Sequence, residues 1–292
     1  MIKIVTYCSG VLLCLTLIPS LIVFAGKFQT VEAMYQFDVI EVKDLISDEQ
    51  KMVGILAKEI PSTYHYEAIK AQAVILRTYM QKNDLADQLE PLTINQLREL
   101  WGSDYNETYE LYKNAILDTE EEVLTYDGEL IEPIYHRASS GRTRDGQEIY
   151  DLEIPYLLSV VSQTDTIEKN IIYSKSEVVR ILQEAYPNIL INQEYIGQQI
   201  QIVEKGKSGY VNQIQFGSII MNEDEFIKIF NLPSSHVEIS ENEKSLIFNV
   251  KGDGHGVGLS QNGANEFAIL GANYTEILKY YFTDIEILKF IE

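Results

Sequence analysis

Both cysteines of this chain, Cys8 and Cys14, sit in one uncharged N-terminal run, and the 268 residues from Ala25 to Glu292 contain none. The body of the chain therefore folds without a disulfide or a thiolate metal site, and its stability must come from buried apolar surface. Its 292 residues suffice for one large domain or two small ones. Residues 4–24, IVTYCSGVLLCLTLIPSLIVF, hold no charge over 21 positions, close to the ~20 residues needed to cross a bilayer. A secretory signal would have a shorter apolar core and a small-residue cleavage site, for which Val23-Phe24-Ala25 is a weak match. The favoured reading is a single-pass membrane anchor over 1–26, a tether over 27–50 and one domain over 51–292, with a cleaved signal as the alternative. Lys3, Lys27 and Lys43 give a poor positive-inside signal. By analogy with other N-terminal anchors, the bulk is placed on the extracytoplasmic side of the cell membrane.

The net charge of −21 limits the partners. Such a surface repels nucleic acid and anionic lipid headgroups, so a polyanion would need a local basic groove. Aromatics are numerous, with 19 Tyr and 10 Phe. Most belong to the core, and a few exposed rings would suit the faces of sugars.

Beyond a strand expected in FDVIEVKDL (37–45), the pattern mixes helices and strands without regular βα alternation, which argues for an α+β fold. Ile69, Ala73, Leu76 and Met80 share one face of a helix over about 64–80, and Thr108–Leu117 reads as another. EEVLTY-DG-ELIEPIYH is a hairpin signal with Asp127-Gly128 as its turn, running on to His136. A second hairpin joins QQIQIVEK to YVNQIQFG, and helices are expected near Ser176–Tyr186 and in EDEFIKIF. After a strand in SLIFNV, residues 251–287 read as a Gly-rich loop, two short helices split at Gly271 and a closing strand.

Three stretches could carry chemistry. Glu59 lies between the apolar run Val53–Ala57 and Pro61, just before the 64–80 helix. A carboxyl at such a junction is placed for partial desolvation, which suits a general acid. On that helix Lys70 and Arg77 lie seven residues apart and share a face. They could hold a substrate carboxylate or simply balance acidic neighbours such as Glu67. The second stretch is GDGHGVGLSQNGA (252–264), where glycines bracket His255 and Gln261 opens a helix. It lacks the GK[ST] and GxGxxG patterns of nucleotide sites, so a polar pocket wall is the better reading. The third is YHRASSGRT (135–143), in which His136 and Ser139 could form a Ser/His pair, although no GxSxG elbow is present. The four histidines, His65, His136, His236 and His255, lack metal-site spacing, and no metal or cofactor is expected.

In order along the chain, GILAKEIPSTYHYEAIKAQAVILRTYM, YHRASSGRT and GDGHGVGLSQNGANEFAILGANYTEILKYYF resemble the stage II sporulation protein D family, which is related to amidase-enhancer proteins. The resemblance covers about residues 51–286. It implies a peptidoglycan lytic transglycosylase that cuts peptide-stripped glycan during sporulation engulfment, beside a partner amidase. Under it Glu59 is the catalytic acid, Lys70 and Arg77 position the substrate or the acid, and Ser139 and Gln261 fall on further motif positions; with His136 and His255 these form the expected substrate-binding set. Some relatives are described as holding zinc with a His at the position of His136 and nearby cysteines, which this chain lacks. RASSG also replaces the more usual STSGG loop. The chemistry suits one carboxyl: it can act first as acid and then as base when the sugar's own 6-hydroxyl attacks. The rival classes are a non-catalytic glycan-binding enhancer of an amidase and a membrane-anchored scaffold in an engulfment complex.

Overall fold

The computed structural model describes residues 48–83, 89–150, 152–162, 165 and 167–290. The chain divides into two units, Met1–Lys51 and Met52–Glu292, and the second carries the architecture below. The apolar run 4–24 and the strand expected in FDVIEVKDL lie outside the described residues.

The expectation of an α+β fold behind a transmembrane helix is corrected in its second half. No helix among the described residues is long and apolar enough to cross a membrane. The membrane as a partner, the single-pass location and the transmembrane helix itself lose their support with that finding. What stands is an α+β domain of mixed helices and mostly antiparallel strands.

The first core is helical. Helix α1 (Asp48–Glu59) buries Met52, Val53, Ile55 and Leu56, and the chain then turns at Pro61 into α2 (Tyr66–Asn83). A proline disfavours the helical conformation in the residue before it, which helps end α1 where it does. Buried residues on α2 run from Ala68 through Leu76 on nearly every face, so this helix is the central post of the domain. Around it pack α4 (Tyr105–Asp118) and strand β1 (Glu122–Tyr126). Between α2 and α4 lies α3 (Ile94–Trp101), opened by a reciprocal Thr93/Gln96 capping box.

The expected hairpin forms across Asp127 (φ 51°) and Gly128 (φ 81°), the pair of positive φ angles that a two-residue turn requires. It is shorter than the sequence implied. Strand β2 is only Glu129–Leu130, and Pro133, which has no N–H for a ladder, follows it. Tyr135–His136 instead form a separate strand, β3, that pairs in parallel with Leu259–Ser260.

Between those partners the chain makes a long excursion with a core of its own. After α5 (Gln147–Tyr150), strand β4 (Glu168–Ser174) leads into α6 (Lys175–Ala185). Strands β5 (Ile200–Lys205), β6 (Val211–Phe216) and β7 (Ile219–Asn222) form one antiparallel sheet, β6 in the middle. Then α7 (Glu223–Ile229), β8 (Val237–Glu241) and β9 (Ser245–Lys251) follow, and β9 sits between β4 and β8. Phe216, Phe226, Phe230 and Phe248 stack at the centre of this second core, with the Phe216–Phe230 and Phe230–Phe248 centroids each 5.1 Å apart.

The chain returns through a glycine-rich loop to β10 (Leu259–Ser260), α8 (Gln261–Ile269), α9 (Tyr274–Tyr281) and β11 (Glu286–Lys289). Helices α8 and α9 separate at Gly271, as the sequence implied, and β11 closes on β1. The β3–β10 pair forms because residue 258 has no side chain. Gly258 has φ 75°, and a Cβ there would collide with the Ile134 carbonyl. Gly258→Ala should therefore lose about 2 kcal/mol or more of stability, from left-handed strain together with that collision. Chemical unfolding that gives an unchanged midpoint would refute this account.

Candidate active site

Glu59 is the last residue of α1 and is half-buried. Its side chain and its backbone are both held. The Tyr135 hydroxyl, on β3, donates to Glu59 Oε2. Gln261 Nε2, on the first residue of α8, donates to the Glu59 carbonyl at 2.7 Å and lies 3.1 Å from Gln72 Oε1. Three elements far apart in sequence, α1, β3 and α8, therefore meet at Glu59. The Tyr135 hydroxyl is pushed well above the usual tyrosine range, first by burial and then by its bond to Glu59. It stays protonated and serves as a donor at any physiological pH.

The two histidines form the wall behind Tyr135, with ring centroids 5.7 Å apart. His255 Nδ1 accepts the Val257 N–H at 3.1 Å, which leaves Nε2 as the protonated nitrogen, 3.1 Å from the Tyr135 carbonyl. His136 is buried, and its Nδ1 faces the Val257 carbonyl at 3.1 Å, so the Nδ1–H tautomer fits. Burial lowers both rings below the ordinary value, His136 to about 3, with the neighbouring His255 adding to the effect. Both act as neutral struts that fix β3 and the glycine loop.

The donor set does not fit zinc. No group of three or more His, Cys, Asp or Glu residues capable of holding a metal occurs among the described residues. His136 Nε2 is free, but both nitrogens of its histidine neighbour are already engaged.

Ser139 belongs to a second buried cluster. Its N–H donates to Asp165 Oδ2 at 2.9 Å, and Ser162 Oγ donates to the same oxygen at 3.0 Å while also lying 2.8 Å from the Tyr281 hydroxyl. Burial raises the Asp165 carboxyl, and hydrogen bonds from Ser260, Ser139 and Ser162 oppose that rise. The cluster ties the 137–143 loop to α9 and to the start of α8, so Ser139 positions its loop.

Lys70 and Arg77 also have partners of their own. Lys70 pairs with Glu67 at 2.5 Å, as the helix spacing implied, and lies over the rings of Tyr66 and Tyr274. Arg77 donates to the carbonyls of Ile116 and Glu122 at 3.2 and 3.0 Å, pinning α2 to the end of α4 and the start of β1. Burial lowers its guanidinium to about 10.

Three participants escaped the sequence reading. Tyr135 and Asp165 carry no local signal beyond being polar residues near motif stretches. Arg144 is fully buried, pairs with Glu223 at 2.7 Å and stacks 4.6 Å from the Tyr210 centroid. It also bonds Asn212 at 3.2 Å and the His255 carbonyl at 3.3 Å, while its N–H meets the Gly256 carbonyl at 2.7 Å. The bulk of Tyr210 explains Gly256, where a Cβ would strike its ring.

Fold and site together define an α+β domain in which three motif stretches converge on one glutamate at a helix end. Known proteins supply the relationship. The sequence profile of the family described as Stage II sporulation protein, SpoIID, matches residues 38–126. Over 255 residues the chain is 29% identical to stage II sporulation protein D of Bacillus amyloliquefaciens, covering 82% of this chain and 73% of that protein. It is 26% identical, over 82% of this chain and 74% of the relative, to the protein of the same name from Bacillus subtilis (strain 168). It is also 24% identical to the amidase enhancer of Bacillus subtilis, over 78% of this chain and 39% of that protein. Over most of its length the chain is similar to the stage II sporulation protein D family.

The neutral histidines make stability depend on pH with a definite sign. An unfolded chain protonates His136 near 6.5, whereas the folded protein resists until about 3. Between those values the unfolded state binds more protons, so stability is lost as pH falls, by about 1.4 kcal/mol per unit for one such group. The lowered His255 and His236 act in the same direction. The thermal midpoint should drop on the order of 5 °C between pH 7 and pH 5. His136→Gln should lower the midpoint at pH 7 but flatten that dependence, and an equally steep fall in the variant would remove His136 from the explanation.

Proposed function

We propose that this protein is a peptidoglycan lytic transglycosylase that uses Glu59 as its single general acid and base. The family relationship supports a general role in the remodelling of peptidoglycan during sporulation. The observation that carries the finer reading is the double hold on Glu59: a phenol on one carboxylate oxygen and a carboxamide on the backbone carbonyl. A carboxyl fixed in orientation at a helix end is what proton transfer to a leaving oxygen requires.

The chemistry follows from the free oxygen. Tyr135 occupies Oε2, so Oε1 faces the substrate. Protonated there, Glu59 gives its proton to the glycosidic oxygen as the bond from the anomeric carbon of N-acetylmuramic acid breaks. The resulting carboxylate then takes the proton of the 6-hydroxyl on the same sugar, whose oxygen attacks the anomeric carbon. The products are a 1,6-anhydro end and a new free 4-hydroxyl, and Glu59 is ready for another cycle. The groups that hold Glu59 cannot serve as a carboxylate nucleophile, so a mechanism with an intramolecular nucleophile suits the site. Tyr135 keeps the carboxyl oriented and stabilises it while it is ionised. In this reading a partner amidase first strips the stem peptides, during engulfment, and His255 and Gln261 shape the wall on which the strand lies.

The test is direct. Incubated with peptide-free glycan strands, the parent chain should release 1,6-anhydro-muramyl ends visible by mass spectrometry, and Glu59→Gln should release none while remaining folded. If neither protein produces such ends but both bind strands, the function is that of a glycan-binding enhancer. Tyr135→Phe, which removes only the hydroxyl, should lower kcat by about 10- to 100-fold with little change in KM, the scale of one hydrogen bond to a charged group. A rise in KM at constant kcat would instead make Tyr135 a binding residue.

A further inference from the structure

Arg137 follows β3 directly, and burial alternates along this segment: Tyr135 is half-buried, His136 buried, Arg137 exposed and Ala138 buried. The alternation places Tyr135 and Arg137 on the same side of the chain, about 7 Å apart. That is roughly the reach from a scissile oxygen across one sugar ring to a substituent on its far side. The backbone at Arg137 is rigidly held. Its carbonyl accepts the Asn262 N–H at 2.9 Å in the first turn of α8, and Ala138 and Asp253 exchange backbone hydrogen bonds of 3.0 and 2.8 Å. The guanidinium itself is 62% exposed.

The charges around it leave a surplus. Asp253 Oδ2 lies 3.6 Å from Arg137 and 3.5 Å from Lys169, so two cations share one carboxylate. Both separations exceed the 2.7–2.9 Å typical of charge-assisted hydrogen bonds. Asp253 therefore steers the guanidinium without saturating its five N–H donors. An aromatic ring completes the corner. Tyr64, in the turn just after Glu59, has its hydroxyl pushed upward by burial while the Arg137 charge and a hydrogen bond from its guanidinium oppose the shift, which sets the two side chains beside each other and engages one edge of the fork. A planar fork next to a ring suits an anionic sugar, with the fork on a carboxylate and the ring against the sugar face.

We propose that Arg137 binds a free carboxylate on the sugar ring seated at Glu59, making it the residue that distinguishes strands with a bare lactyl carboxylate from strands whose lactyl group is capped as an amide. The assignment rests on the glycan-cleaving reading above, and the experiment separates the two. Peptide-free strands would be compared with the same strands after their lactyl carboxyls are converted to methylamides. Affinities of the full-length parent, Arg137→Gln and Arg137→Lys would be measured by titration calorimetry, and anhydro ends would be counted in parallel. The parent should bind carboxylate strands about 10- to 100-fold more tightly than amide strands, the range expected for a charged hydrogen bond. Arg137→Gln should abolish that difference by weakening only the carboxylate strands, and Arg137→Lys should restore part of it. Equal binding of both strands by the parent, no binding at all, or equal weakening of both strands in Arg137→Gln would overturn the assignment. Selective binding that depends on Arg137 without any anhydro ends would sustain it and refute the lytic activity instead.

Discussion

The site depends on one short parallel pairing, Tyr135–His136 against Leu259–Ser260. These are two residues a side, far below what would hold a sheet together alone. Around them cluster almost all the groups that matter. Tyr135 reaches Glu59, His136 and His255 brace the glycine loop, and Ser260 caps α8, whose first residue is Gln261. Parallel strands need a long connection, and here the connection is the whole 168–251 excursion with its own aromatic core. The carboxyl thus belongs to the helical core while its orientation is set by a strand pair that exists only when the excursion closes. Local unfolding at this pairing would release Glu59 without unfolding the domain, so the proposed proton transfer requires rigidity here.

Arg144 is what makes that closure firm. A fully buried guanidinium costs several kcal/mol in lost hydration unless its donors are met. Most are met, from both sides: Glu223 and Asn212 from the excursion, and the His255 carbonyl from the glycine loop, while Nε lies 3.9 Å from the Glu148 carboxylate without a hydrogen bond. Glu223 opens α7 and also receives the Ser235 hydroxyl, so the ion pair is embedded in a network. Such a network contributes less to net stability than to uniqueness, because any slip of the loop would strand a buried charge. The loop carrying His255 therefore has one register. Glycine at 256 lets the Tyr210 ring pack against it, and Arg144 stacks on that same ring.

Much of the fold was legible because local rules governed it. The Asp127-Gly128 turn, the hairpin across GKSG, the helix break at Gly271 and the amphipathic helices appear where period and turn chemistry put them. The failures have a common cause. Strand β4 is exposed or half-buried throughout, so it lacks an apolar alternation. Helix α1 was hidden by the Pro61 turn that ends it, and β3 was absorbed into the neighbouring hairpin because a parallel partner 124 residues away leaves no local trace. The site shows the same divide. Glu59 and Gln261 could be named from motif stretches, and the structure brings them together. Arg77 looked like a substrate ligand because charge on a helix face is visible in sequence, whereas the two carbonyls it satisfies are not. Tyr135, Asp165 and Arg144 act entirely through tertiary partners, and no spacing reveals them.

For the proposed activity the charge of the chain poses a last problem, since a protein at −21 would have to approach a polymer that is itself anionic once its peptides are gone. Long-range repulsion would slow encounter at low salt. At physiological ionic strength it is screened within about 8 Å, and beyond that distance the global balance matters little. What matters inside it is the local sum beside Glu59. At the end of β3 the exposed cations Arg137 and Lys169 share the carboxylate of Asp253, while the carboxyl of Asp165 is buried and bonded by serine donors. The neutral imidazoles of His136 and His255 add no positive charge that would hold a strand irrespective of its substituents. An acidic exterior with a small cationic corner therefore favours the ligand whose carboxylate arrives at one position. Attraction confined to that corner selects for register along the strand, which a broadly basic groove could not do.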